Sequence, residues 1–156
     1  MTRTYAVDPW VEEPLATFVD EAGARLALLM TPAGQVMAQH GFTRAVDVMA
    51  AAALGAGIVA STGEVAKLLD EPSFSVLNHQ GERHGILLGG FDTPRGRMVC
   101  LAVYGSESSP GIVQLFFEEF SRDIRDACPV SEEPKQVLAA DFERELNESL
   151  SALFRT

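Results

Sequence analysis

From about Ala45 to Leu69 the chain runs without a proline, and Ala50, Ala51, Ala52, Ala53, Gly55, Ala56, Gly57, Ala60 and Gly63 crowd into that stretch. Alanine is the strongest helix former, and Val48, Ala52, Gly55 or Ala56, Val59, Gly63, Ala66 and Leu69 or Asp70 recur at helical spacing on one face. The segment predicts one long helix. Each glycine in it costs about 1 kcal/mol relative to alanine, so the close approach of another backbone has to compensate. That backbone belongs either to a subunit or partner or to the chain's own sheet, and the sequence accommodates both.

Shorter elements are punctuated on either side. Pro9 to about Gly23 reads as an amphipathic helix, with Asp8 as its cap, Trp10 or Val11, Leu15, Phe18, Val19 and Ala22 inward, and Gly23 as its stop. Pro14 is expected to kink this helix or to delay its start. Arg25–Met30 and Gln35–His40 form a strand pair about the turn Pro32-Ala33-Gly34. After Pro72, Phe74–Gln80, Arg83–Phe91 and Met98–Tyr104 read as a three-stranded meander. Ser109 and Pro110 then open a third helix, with Ile112, Leu115, Phe116, Phe120 and Ile124 as its apolar stripe up to Cys128.

The element order α-β-β-α-β-β-β-α predicts an α/β fold with a largely antiparallel five-stranded sheet flanked by helices. One domain over residues 1–128 is expected. Pro129, Glu132, Glu133 and Pro134 mark a linker over 129–137. Residues 138–156 form an amphipathic C-terminal helix with Leu138, Phe142, Leu146, Leu150 and Leu153 or Phe154 as its stripe. Such a helix is marginal alone in water, so it needs a surface, either its own domain or a partner.

Twelve lysines and arginines against 22 aspartates and glutamates give a formal charge of −10, which argues against nucleic acid and anionic membranes as partners. The start lacks the pattern of a signal peptide, and no run is expected to reach the roughly 20 apolar residues that span a bilayer. A soluble, cytoplasmic chain follows as the expectation. Cys100 and Cys128 have neither CxxC nor metal-ligand spacing and read as reduced, buried thiols.

Chemical motifs are weak throughout. Gly55-Ala56-Gly57-Ile58-Val59-Ala60 imitates a dinucleotide fingerprint, but that motif works in a strand-to-helix turn and here lies within a helix. The chain has no GxxxxGK[ST] phosphate loop. His40, His79 and His84 lack zinc spacing, although His79 and His84 could meet across the Gly81-Glu82 turn; a solvated hairpin tip is the simpler reading. Ser109 is occupied as a helix cap, and Glu118 and Glu119 point in different directions. Arg83, Arg95 and Arg97 read as solubilising charges rather than as a cation offered to a neighbour's phosphate. No catalytic residues, cofactor or metal are expected. A sensor or enzyme would need His84, Tyr104 and Cys100 to line one pocket.

Four strings in this order resemble the Roadblock/dynein light chain family, in particular its bacterial gliding-motility branch. Ala24–Leu29 leading into Pro32–Val36 resembles the family's first hairpin, and Val65–Leu69 followed by Glu71 and Phe74 resembles the end of its long helix. His79–Arg83 with Gly85 resembles the run between its third and fourth strands, and Pro110–Val113 the start of its last helix. The resemblance covers about residues 10 to 128 and, more loosely, the tail. It implies a homodimer that pairs long helices and sheet edges and regulates a small Ras-like GTPase of the MglA type, activating hydrolysis or modulating nucleotide exchange. Carried onto this sequence, it implies a GTPase-facing surface at Ala56, Ala60, Gly63, Glu64 and Lys67, with Phe142, Leu146 and Leu150 of the tail as a second contact. The alternative is a dimeric scaffold of the same fold with no effect on nucleotide turnover.

Overall fold

A computed structural model describes residues 5–6, 8–41, 47–130, 144 and 146–153. The elements are β1 (Tyr5–Ala6), α1 (Pro9–Ala22), β2 (Leu26–Met30), β3 (Val36–Gly41), α2 (Val48–Leu68), β4 (Val76–Gln80), β5 (Gly85–Thr93), β6 (Gly96–Tyr104) and α3 (Pro110–Ala127). All five expected strands form, and every pairing is antiparallel. Tyr5–Ala6 adds a two-residue strand against Gln39 and Ala38, too short to leave an alternating signal in the sequence. The strand order is β1-β3-β2-β6-β5-β4, so β4 closes one edge of the sheet.

Local chemistry accounts for the boundaries. Gly23 ends α1 in the left-handed region at φ 66°, where glycine meets no steric penalty. Asp8 precedes α1 with extended geometry but makes no cap bond; its carboxylate lies 3.8 Å from the Arg95 guanidinium instead. The helix begins at Pro9 and continues through Pro14. α2 starts later than expected, at Val48, because the Asp47 carboxylate accepts the Ala50 N–H at 3.1 Å and caps it there. The Ser109 hydroxyl accepts the Ile112 N–H in the same way at α3.

Two helices cover one face of the sheet and one covers the other. α1 and α3 enclose Ala27, Leu29, Leu87, Phe91, Met98, Cys100, Ala102 and Tyr104, and Phe18 stacks on Phe120 at 5.2 Å between ring centroids. α3 buries Val113, Phe117, Phe120 and Ile124, so its inward face is turned from the expected stripe and Ile112 and Leu115 are exposed. Phe117 decides the rotation. Its ring occupies the space above Gly89, where a Cβ would run into it. On the opposite face, α2 packs the small residues Ala52, Gly55 and Ala56 against a layer that includes Leu26, Leu28, Met30, Leu88, Val99 and Leu101.

α2 also corrects the expectation about membrane-length segments. It is 21 residues long and contains an 18-residue window of mean hydropathy 1.5, enough to cross a bilayer by length and composition, because alanine with interspersed valine, leucine and isoleucine raises hydropathy without forming a continuous run of large apolar residues. In the fold it lies flat on the sheet.

The tail is helical at Arg144 and over 146–153, with Leu146, Leu150 and Leu153 exposed. Phe142 and most of the expected linker lie outside the described residues.

Candidate partner-binding face

Because α2 touches the sheet along one stripe, its remaining surface divides into two further stripes. The sheet-facing stripe explains one glycine: a Cβ at Gly55 would stand 3.2 Å from Leu88 Cδ2, so glycine lets the helix sit close. Gly57 and Gly63 have open space where a Cβ would go. Their presence is not explained by packing within this chain.

The outermost stripe is Leu54, Ile58, Ser61, Val65 and Leu68, spaced alternately by four and three residues, which is the seam pattern of paired helices. Leu54 is 70% and Leu68 85% exposed. Glu64 and Lys67 are the only charged residues among the 21 of α2. An apolar helix with this much bare surface needs cover. Beside it, β4 pairs with β5 alone among the described residues, leaving a row of backbone donors and acceptors along its outer edge.

The third stripe carries the predicted contact residues. Between α2 and the β5–β6 hairpin lies an open groove of about 550 Å³. Ala56, Ala60, Gly63, Glu64 and Lys67 all line it. Ala56 forms part of its floor and is only 5% exposed, since its methyl also packs on the sheet. Ala60, Glu64 and Lys67 are exposed and Gly63 is half-buried. Glu64 does not break the surface with a free charge, because Lys67 Nζ donates to its Oε1 at 2.9 Å.

Sequence reasoning missed the opposite wall. Asp92, Arg97 and Val99 of the hairpin, with Phe74 from the loop after α2, line the same groove. Arg97 Nη1 donates to Asp92 Oδ1 at 3.2 Å across the register pair Asp92–Arg97. A period-two reading of β5 and β6 could have put both on the α2 side, but nothing local shows that a groove opens between them and the helix.

The residues required for a sensor or enzyme pocket do not converge. Cys100 lies wholly inside the α1–α3 core, where burial pushes its thiol far up from the ordinary range. Tyr104 is four residues further along the same strand face, with Gln80 Nε2 donating to its hydroxyl at 2.6 Å. Burial raises the Tyr104 phenol, and the Gln80 bond opposes that shift. His84 precedes Gly85, the cross-strand partner of Tyr104, but its Nε2 is engaged by Arg25 Nη1 at 2.8 Å. Arg25 also holds Glu107 through Nε–Oε1 at 2.9 Å and Nη2–Oε2 at 3.3 Å. His84 is therefore part of a surface ion cluster rather than a bare hairpin tip. Among the described residues no group of three or more metal-ligating side chains comes together.

Residues 11–104 match the Roadblock/LC7 domain. The chain belongs to the Roadblock/LC7 family. Within it the fold is that of solved MglB structures. Myxococcus xanthus MglB superposes with a TM-score of 0.70 at 24% identity, covering 77% of this chain and 95% of that one. The gliding protein MglB of Thermus thermophilus gives 0.68 at 30% identity, over 76% and 87%. An MglB with tetrameric arrangement gives 0.66 at 28%, over 75% and 86%. No match was found among curated proteins. The Roadblock/LC7 match ends before α3, whereas the groove and the α2 seam both fall inside it.

Proposed function

We propose that this Roadblock/LC7 protein is a homodimeric, cytoplasmic regulator of a small Ras-like GTPase of the MglA type. The observation that carries the reading is the surface of α2. Its outer seam is apolar and bare, and its adjacent stripe of small residues opens a groove. In the proposed dimer two copies pair through the seams of α2 and the free edges of β4, which covers the apolar surface and satisfies the edge. The grooves then receive the GTPase at Ala56, Ala60, Gly63, Glu64 and Lys67. In this reading its effect on the nucleotide works through the partner's switch residues: it activates hydrolysis and, through the tail residues Phe142, Leu146 and Leu150, modulates exchange. By likeness to the gliding proteins, the process served is cell polarity and motility.

The test is single-turnover GTP hydrolysis by the organism's own MglA-type GTPase, with this protein in excess, alongside size-exclusion of the mixture in each nucleotide state. A GTP-dependent complex with faster hydrolysis is expected. Ala60→Arg should abolish the complex while leaving the dimer folded, and a variant that still stimulates hydrolysis would sink the assignment of the face. A complex without any change in hydrolysis identifies the scaffold instead.

A further inference from the structure

The groove contains a cation held in an unusual posture. Strand alternation turns Leu88 and Val99 toward α2 and Gly89 toward α3, so Gly90, Asp92 and Arg97 face the α2 side. Arg97 does not stand up from the hairpin: a Cβ at Gly90 would be 2.7 Å from its Nη2 and 3.2 Å from its Cζ. The guanidinium thus lies over the bare backbone of Gly90, and Asp92 takes one of its donors. Among the described residues that is the one hydrogen bond of Arg97. Its side chain is 36% exposed, against 75% for Lys67 on the facing helix.

We infer that Arg97 is a pre-positioned receptor for a carboxylate side chain projecting from the partner GTPase, an assignment that rests on the proposed function and names the chemistry of its contact. A guanidinium with one donor engaged and its plane fixed is organised to take a carboxylate in a two-bond fork. Fixing the side chain beforehand removes entropy that binding would otherwise cost. The posture separates this role from that of a cation inserted at a nucleotide. Such a cation has to project out of its own surface, whereas the Arg97 guanidinium is laid back over Gly90 on the hairpin wall of the groove. Lys67 and Arg97, each beside its own acid, are the cations that line the groove. Gly90 is a positioning residue, because any side chain there displaces the guanidinium.

The experiment compares the intact chain with Arg97→Glu, Arg97→Lys and Gly90→Ala. Each variant is checked for unchanged mass and melting, then titrated with the GTP-loaded MglA-type GTPase at low and moderate salt. Arg97→Glu is expected to weaken binding at least tenfold, with an unchanged hydrolysis rate once the complex is saturated. Arg97→Lys should recover only part of the loss, because an ammonium makes no fork. Reversing the contacting Asp or Glu of the GTPase to Arg should rescue Arg97→Glu. Wild-type affinity in Arg97→Glu, while Ala60→Arg still blocks binding, overturns the receptor assignment and leaves the regulator reading standing. A lower saturated rate overturns it in favour of a catalytic cation. If Arg97→Glu does not fold, the Arg97→Lys and Gly90→Ala titrations decide, and wild-type affinity in both is the overturning result. Failure of the unaltered chain to bind the GTPase overturns the proposed function and the receptor together.

Discussion

Single residues in this chain repeatedly solve problems that its elements create. Glu107 is held below the ordinary glutamate range, first by the hydrogen bond from Arg25 and then by its own backbone. A carboxyl depressed in the folded state contributes stability that is present above its unfolded value and lost as pH falls through its folded value. Glu107→Gln should therefore lower stability slightly at neutral pH, match the intact chain in strong acid, and so flatten the decline below about pH 4.3, the ordinary range of glutamate. Urea midpoints of the two proteins between neutral and strongly acid pH check this, and parallel curves would show that the Arg25 contact carries no linkage. Glycines illustrate the same division of labour. Gly55 and Gly89 are demanded by Leu88 and Phe117 respectively, whereas Gly57 and Gly63 meet nothing within the chain.

At the level of elements, α2 is the part whose chemistry exceeds its packing. Its seam of Leu54, Ile58, Val65 and Leu68 lies away from the sheet, so Ile58→Glu costs the isolated fold little while placing a charge at the centre of the proposed helix pair. The expected outcome is a folded monomer, seen as a halved mass in sedimentation equilibrium with circular dichroism retained. A dimer of unchanged affinity would mean that another surface pairs the subunits. The sequence made α2, its small stripe and the five main strands legible because each has a strong local period or punctuation. The facing of α3 was not legible: Ile112, Leu115 and Phe116 are as apolar as Val113 and Phe117, and the choice falls to a gap over Gly89 on a distant strand. Half of the groove was hidden for the same reason. Ala60, Gly63, Glu64 and Lys67 follow from one helical period, but Arg97, Asp92 and Phe74 join them only through the tertiary placement of the helix beside the hairpin.

Across the whole molecule, the domain and the tail differ in how they meet water. α1, α3 and the sheet bury a continuous core, while the tail helix keeps Leu146, Leu150 and Leu153 exposed. A short helix with an uncovered apolar stripe gains little from its own hydrogen bonds, so it contributes to function by docking rather than to the stability of the domain. Removal of everything after Pro134 is therefore expected to preserve one cooperative melting transition and to weaken GTPase binding several-fold. Calorimetry and titration on the same truncated protein separate the two effects. Loss of the cooperative transition would mean that the tail belongs to the core of its own chain. Retention of full GTPase affinity would confine the partner surface to the groove on α2 and the β5–β6 hairpin. The tail also carries acids, Glu145 and Glu148 among them, so its contribution should shrink as salt rises if it meets a basic partner surface and should persist if the leucines dominate.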